Sequence, residues 1–303
     1  MTTLLSIELR RLLARRLVRL VAALAVLGVV IATIVVAAKS RRDDLAQLRA
    51  NAEAKQALEV QRCKSGDLAI PRGAIPPGET LDQFCERILF APLPDPRFHL
   101  TALTDVFAGT TVPLVLIGWL LAASFIGADW HAGTVTTQLT WEPRRVRLLL
   151  AKAAVCIAVA FLATVAIQVL LGLGLWAAAA LRGTVEGTDR AWFLRTLGVL
   201  VRGGALAAVA AAIGFSLAAV ARNTAAALGV GFGYLLILEN LVSALRPGWR
   251  SWFFAPNAIV LVDGRAHPDI IPRTVLEAGV LVGLYAVGTV LVATGVFARR
   301  DVT

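Results

Sequence analysis

Two long apolar runs of the sequence enclose a polar segment, residues 127–152, that reads GADWHAGTVTTQLTWEPRRVRLLLAK. Lipid cannot satisfy the backbone groups of a loop, so a polar segment of this length between membrane spans must face water. Its basic end, with Arg144, Arg145, Arg147 and Lys152, indicates that this water is cytoplasmic. We predict that the segment forms a short helix to which a soluble cytoplasmic partner binds. An ordinary interfacial loop is the alternative.

The composition is that of a membrane protein. Of the 303 residues, 58% are apolar and only 17% are charged, and the mean hydropathy is +0.74. Several apolar runs exceed the roughly 20 residues that cross a hydrocarbon core. The net charge of +10 comes from arginines at span ends and in loops, not from one patch with interleaved aromatic residues. Membrane orientation and anionic lipid explain such charges, and no nucleic-acid partner is predicted.

The apolar runs predict an all-α polytopic protein with six transmembrane helices within residues 17–303. We place the helices at about 18–38, 104–128, 152–181, 192–221, 225–245 and 275–298. The third run is long enough for its helix to protrude into the cytoplasm. Residues 1–20 combine leucines at helical spacing with five arginines, which is typical of an amphipathic helix in the membrane interface. These arginines keep the N-terminus inside, and with six spans both termini are predicted to be cytoplasmic.

The one sizeable polar insertion, residues 39–100, is predicted to be an extracytoplasmic subdomain between spans one and two. A helix over residues 43–61 and a short helix near 81–89 are expected, with proline-rich loop around them. About 60 residues are too few for a strong core of their own. Because the outer compartment is oxidising, we expect Cys63 and Cys85 to form a disulfide that contributes on the order of 3 kcal/mol. Cys156, inside an apolar run, is expected to be a packing residue.

The fifth span contains an ionisable residue, Glu239, followed by Asn240. An ionisable group inside a span costs roughly 3 kcal/mol, which makes this pair a candidate for the substrate path. The alternatives are that Glu239 pairs with Arg202 or Arg246, or that it is hydrated. The aromatic residues between spans five and six predict a re-entrant or interfacial hairpin over residues 246–273.

The sequence lacks the motifs of enzymes. Its three histidines, His99, His131 and His267, are scattered over loops and form no H-E-x-x-H metal motif. There is no G-x-S-x-G nucleophile turn and no G-x-x-x-x-G-K-[ST] phosphate loop. We therefore predict no catalytic residue, no metal site and no bound cofactor in this chain. Energy-driven transport would need nucleotide chemistry on another subunit.

Several features in sequence order resemble the membrane subunits of ABC-2-type ABC transporters. They are the basic first helix, the large outer segment, the polar segment 127–152, the turn RNTAA at 222–226 and the ending FARRD at 297–301. Within 127–152, the spacing of Asp129, Gly133-Thr134, Pro143 and Lys152 is similar to the pattern of the family. Asp129 stands where the family usually has Glu. The resemblance covers nearly the whole chain.

The resemblance implies a type V exporter-like permease that dimerises with a second permease protomer, identical or different. A separate ATP-binding subunit, carrying ATP and Mg, would dock on residues 127–152 as a cytoplasmic coupling loop. The family implies a bacterial plasma membrane, and drugs, antibiotics or lipid-like compounds are plausible cargo for an apolar path. The residues expected to position the coupling helix, or to face the partner or lipid phosphates, are Asp129, Trp130, Gly133, Thr134, Thr137, Arg144 and Arg145.

A function of a different class remains open. The chain can instead be read as a non-transporting sensor or assembly protein, in which residues 41–100 bind a ligand and the inner loop is incidental. A stand-alone channel or secondary carrier would need internal repeats or polar pore faces, and the sequence has neither.

Overall fold

The computed structural model describes residues 2–40, 45–66, 75–76, 78–89, 95 and 97–299. Within them the chain is helical, and His99 and Thr184 form an isolated β-bridge. The helices are α1 Thr2–Ala14, α2 Arg16–Lys39, α3 Leu45–Lys64, α4 Leu81–Leu89, α5 Leu103–His131, α6 Thr134–Trp141, α7 Arg145–Arg182, α8 Arg190–Ala221, α9 Thr224–Phe232, α10 Glu239–Leu245, α11 Phe254–Asp263 and α12 Val275–Arg299. Most of the predicted proline-rich loop and the terminal residues 300–301 lie outside the described residues.

Six helices of the described residues are long and apolar enough to cross a membrane, which confirms the predicted all-α, six-span architecture. They are α2, α5, α7, α8, the segment from α9 through α10, and α12. The 38 residues of α7 extend for about 57 Å, nearly twice the hydrocarbon thickness. At the N-terminus the helix breaks at Arg15, so residues 16–20 belong to the first span and not to the helix before it.

The first of two compact units comprises residues 1–32, 101–174 and 187–303, and α5 and α8 form its centre. The helices pack closely because small residues line the contacts. A Cβ atom added to Gly214 of α8 or to Gly231 of α9 would overlap the indole of Trp119, which therefore lies between these two glycines. A Cβ on Gly127 would likewise overlap Thr224 at the start of α9.

The second unit comprises residues 33–100 and 175–186 and contains a disulfide and several polar contacts. A disulfide joins Cys63 of α3 to Cys85 of α4, with 5.8 Å between their Cα atoms. Thr80 and Gln83 exchange hydrogen bonds between their side chains and backbone amides, a capping box that starts α4. Elsewhere in the unit, the Thr184 amide donates to the Phe98 carbonyl oxygen at 2.9 Å.

Loss of the disulfide should loosen the α3–α4 pair, because few buried apolar residues hold these helices together. We expect Cys63→Ser or Cys85→Ser to lower the stability of this unit by on the order of 3 kcal/mol and to speed its proteolysis. Cys156→Ala, which removes a buried thiol elsewhere, is the control. Peptide mapping without reductant should recover the Cys63–Cys85 pair, and finding both thiols free would contradict the bridge.

Candidate functional site

A helical hairpin forms where α5 ends and α7 begins. Gly133 has φ 64° and ψ 11°, a left-handed conformation that glycine adopts without strain, and it turns the chain from α5 into α6. The Thr134 hydroxyl donates to the Asp129 carbonyl oxygen at 3.2 Å across this turn. After α6 the chain becomes extended at Glu142, and Pro143 precedes the start of α7. The short helix predicted within residues 127–152 is therefore present.

The two faces of α6 differ. Val135 is buried in the hydrophobic core, whereas Thr136, Thr137 and Thr140 are exposed. Trp141, the last residue of α6, is 88% exposed, more than any other large apolar side chain described. Tryptophan is enriched at the centres of protein interfaces, so this residue is well suited to contact a partner.

The hairpin is anchored by Asp129, whose carboxylate is only 4% exposed. One carboxylate oxygen lies 2.8 Å from Arg15 Nη2 and 3.6 Å from Arg11 Nη2. The other lies 2.7 Å from Lys152 Nζ. Helix α5 is thereby tied through a single side chain to α7, and to the N-terminal helix with the break that follows it.

Glu8 of α1 completes the cluster. Its carboxylate accepts from Lys152 Nζ at 2.8 Å and from Arg11 Nη1 at 3.2 Å, and both Glu8 and Lys152 are 2% exposed. Two carboxylates face three cations, so the cluster carries one net positive charge. We call the five residues Glu8, Arg11, Arg15, Asp129 and Lys152 the ionic cluster.

Aromatic rings cover the ionic cluster and the root of the hairpin. The Phe125 ring lies 4.5 Å from the Arg15 guanidinium and 4.9 Å from Lys152 Nζ, both as cation–π contacts. Trp130 packs edge-on against Phe297 of α12, and the guanidinium of Arg222 lies 4.5 Å over its ring. The root of the hairpin therefore contacts α1, α7, α12 and the turn between α8 and α9.

Comparison with known proteins decides the family. A family model described as "ABC-2 family transporter protein" matches residues 2–250. The chain belongs to the ABC-2 transporter family. It is a multi-pass membrane permease, and the predicted resemblance is confirmed. Comparisons with curated proteins and with solved structures give no match.

In this ABC-2 permease, the residues predicted for coupling fall into three sets. Asp129 and Trp130 are held inside by the contacts described above, and Gly133 and Thr134 shape the turn. Thr137 and Arg144 are exposed, and Arg145 is partly exposed, so these three border the outer face of the hairpin. Their roles in coupling stay predictions.

Two members of the ionic cluster carry signals that our sequence reasoning did not use. Glu8 is the only acidic residue among the first 42, within a helix otherwise rich in arginine. Lys152 is the only charged residue between Leu148 and Leu181. A lone charge inside a span usually has a buried partner, which the sequence analysis did not assign to Lys152.

Glu239 has a different partner from the ones predicted. It is 4% exposed and accepts hydrogen bonds from the backbone amides of Phe254, at 2.8 Å, and of Ala255. It therefore caps the N-terminus of α11, and among the described residues it forms no ion pair with Arg202 or Arg246, the alternative partners. Asn240 is exposed and donates to the carbonyl oxygens of Leu235 and Leu236 in its own span. The structure thus gives both residues local partners, and a role in the substrate path stays a prediction.

Arg202 of α8 lies at the opposite end of α11. Its guanidinium is so close to Gly264, the left-handed residue that ends α11, that a Cβ there would overlap it. Asp263 also interacts with it electrostatically. A carboxylate at the N-terminus and a cation at the C-terminus both interact favourably with the helix dipole. Two charges from neighbouring spans therefore stabilise α11, the helical part of the predicted aromatic hairpin.

Removing one member of the ionic cluster should be more damaging than removing two that pair. We expect Lys152→Met to destabilise the permease by about 3–5 kcal/mol, because Glu8 loses its closest cation while it stays buried. Adding Glu8→Leu should restore part of this loss, since Asp129 keeps Arg15. Thermal unfolding midpoints in detergent give the comparison, with Lys55→Met on an exposed residue as control. Equal midpoints for Lys152→Met and this control would show that the cluster contributes no stability.

Proposed function

We propose that this permease is driven by a separate ATP-binding subunit docked on its α5–α7 hairpin, and that it exports hydrophobic or amphiphilic compounds across a bacterial plasma membrane. The observation that carries the proposal is the division of the hairpin: an exposed outer face on α6, and a root fixed by buried charges. Because the root is fixed, a partner that moves the exposed face of α6 can move the buried helices with it, without unfolding the hairpin.

The residues of the hairpin have separate parts in this mechanism. Trp141, Thr137 and Arg144 contact the ATP-binding subunit. Asp129 receives the displacement of α6 through the turn at Gly133 and passes it to Lys152. The long helix α7 then acts as a lever, since a helix of this length moves as one body over most of the membrane thickness. ATP and Mg are bound by the partner, and this chain binds no cofactor.

The complete transporter contains a second permease protomer, identical or different. The exposed apolar surface of this chain supports an interface with that protomer. Helix α2 has no buried residue, and Leu236 and Ile237 of the fifth span are each 67% exposed. Lipid covers whatever part of these surfaces the second protomer does not. Family membership favours this reading over the sensor hypothesis, in which residues 41–100 would be the active part.

Docking can be tested on the exposed tryptophan. We expect Trp141→Ala to reduce stimulation of the co-purifying ATP-binding subunit at least tenfold, as for a central interface residue. The thermal stability of the Trp141→Ala permease should equal that of the wild type, because the Trp141 side chain is 88% exposed. Trp249→Ala, which removes a 61% exposed tryptophan elsewhere, is the matched control. Full stimulation by Trp141→Ala would argue against docking at this face.

The sidedness of the hairpin can be tested with single cysteines. The native cysteines are bridged or buried, so they give no background labelling. In spheroplasts, a membrane-impermeant maleimide should label Arg250→Cys and spare Thr140→Cys, and in inverted vesicles it should do the reverse. Labelling of Thr140→Cys from outside would place the hairpin on the wrong side for an ATP-binding partner.

A further inference from the structure

Helices α5, α8, α9, α11 and α12 line a half-open cavity of about 600 Å³. This volume is in the range of small-molecule sites. Among the described residues, no charged side chain lines the cavity. The aromatic members of its wall are Trp119, Tyr234, Trp252, Phe253, Phe254 and Tyr285.

The wall of the cavity is held in shape without a ligand. Trp119 is fixed between its two flanking glycines. The carboxylate of Glu239 acts electrostatically on the Tyr234 hydroxyl, and the Tyr285 hydroxyl donates to the Trp252 carbonyl oxygen. The Tyr285 hydroxyl is therefore already used, as is that of Thr289, which donates to the Ala286 carbonyl oxygen, and the interior offers mainly apolar and aromatic surface. Such a surface binds the apolar body of a ligand.

A cation lies at the edge of this cavity. The guanidinium of Arg273 lies 4.8 Å over the ring of Trp252, one of the lining residues. It also acts electrostatically on the hydroxyl of Tyr285, another lining residue. Within the part of the chain that the structure describes, no carboxylate comes within 4.0 Å of Arg273. Glu277 interacts with Arg273 electrostatically, but its carboxylate accepts hydrogen bonds from Thr274, so the donors of Arg273 are available to an anion from outside the chain.

We propose that the cavity binds an anionic amphiphile, with its apolar body against the aromatic wall and its carboxylate or phosphate group on Arg273. Arg273 would repel a cationic amphiphile, and a neutral amphiphile would form no ion pair with it. Glu239 acts on the same Tyr285 hydroxyl with the opposite sign, but its carboxylate accepts from the first amides of α11, and the dipole of that helix offsets part of its charge. That the occupant is a transported compound rests on the proposed function, whereas the binding itself does not.

Two pairs of variants separate the two parts of the site. Arg273→Gln removes the cation, and Arg265→Gln removes an exposed arginine of the same inter-helix segment as its control. Gly288→Leu fills the cavity, since Gly288 lines it and an added Cβ meets no atom within 4 Å. Gly283→Leu is its control, because Gly283 lies on the same helix with equal space around it but does not line the cavity.

The probe is 11-(dansylamino)undecanoate, and its uncharged methyl ester is the second ligand. Dansyl fluorescence reports binding to the permease alone, in phosphatidylcholine nanodiscs, so failure of the ATPase-docking proposal would not affect this result. We expect saturable binding of the acid, at least tenfold weaker with Arg273→Gln and unchanged with Arg265→Gln. The ester should bind wild type and Arg273→Gln equally. Gly288→Leu should abolish binding of both ligands, and Gly283→Leu should not.

Several outcomes would overturn the proposal: equal affinities for acid and ester in wild type, no effect of Arg273→Gln, or undiminished binding to Gly288→Leu. A further arm repeats the titration in nanodiscs that contain phosphatidylglycerol. Competition by this lipid would support the site and identify a membrane lipid as its occupant. Unchanged affinity for the acid would support the site and identify a compound other than bulk anionic lipid.

Discussion

The ammonium group of Lys152, held between the carboxylates of Glu8 and Asp129, is the contact on which the part of the first unit around the α5–α7 hairpin depends. Apolar packing among leucines and alanines tolerates many relative positions of helices, because it has no direction. Three buried charges, with less than 3 Å between Lys152 Nζ and each carboxylate oxygen, allow few relative positions. Desolvating them is favourable only when α1, α5 and α7 are all in place, so the ionic cluster also fixes how these helices are arranged.

The same principle operates around α11. Glu239 is the charge that the sequence suggests for a transport path, and Arg202 is one of the partners that the sequence offers it. Each instead lies against one end of a ten-residue helix, where the helix dipole compensates it. Because these two charges have structural partners, the neighbouring cavity keeps an uncharged wall, and the one cation at its edge determines the kind of ligand it suits.

The sequence predicted what depends on length and hydropathy, and missed what depends on the partner of a single side chain. Six spans and the start and end of α4 follow from local patterns, and the disulfide followed from two cysteines in one outer segment. The contact between Glu8 and Lys152 joins residues 144 positions apart, and no local pattern encodes it. The partners of Glu239 are backbone amides, which every residue but proline possesses, so no residue type marks them.

The fifth span has one further peculiarity, the six π-helical residues Gly233–Leu238 between α9 and α10. A π-helical turn holds more residues than an α-helical turn. The side chains that follow it are therefore rotated about the helix axis, relative to their positions in an uninterrupted α-helix. Glu239 is the first residue after the π-helical turns, and its side chain faces α11 because of this rotation. The angular register of one short segment therefore decides whether a buried carboxylate meets two amides or faces hydrocarbon.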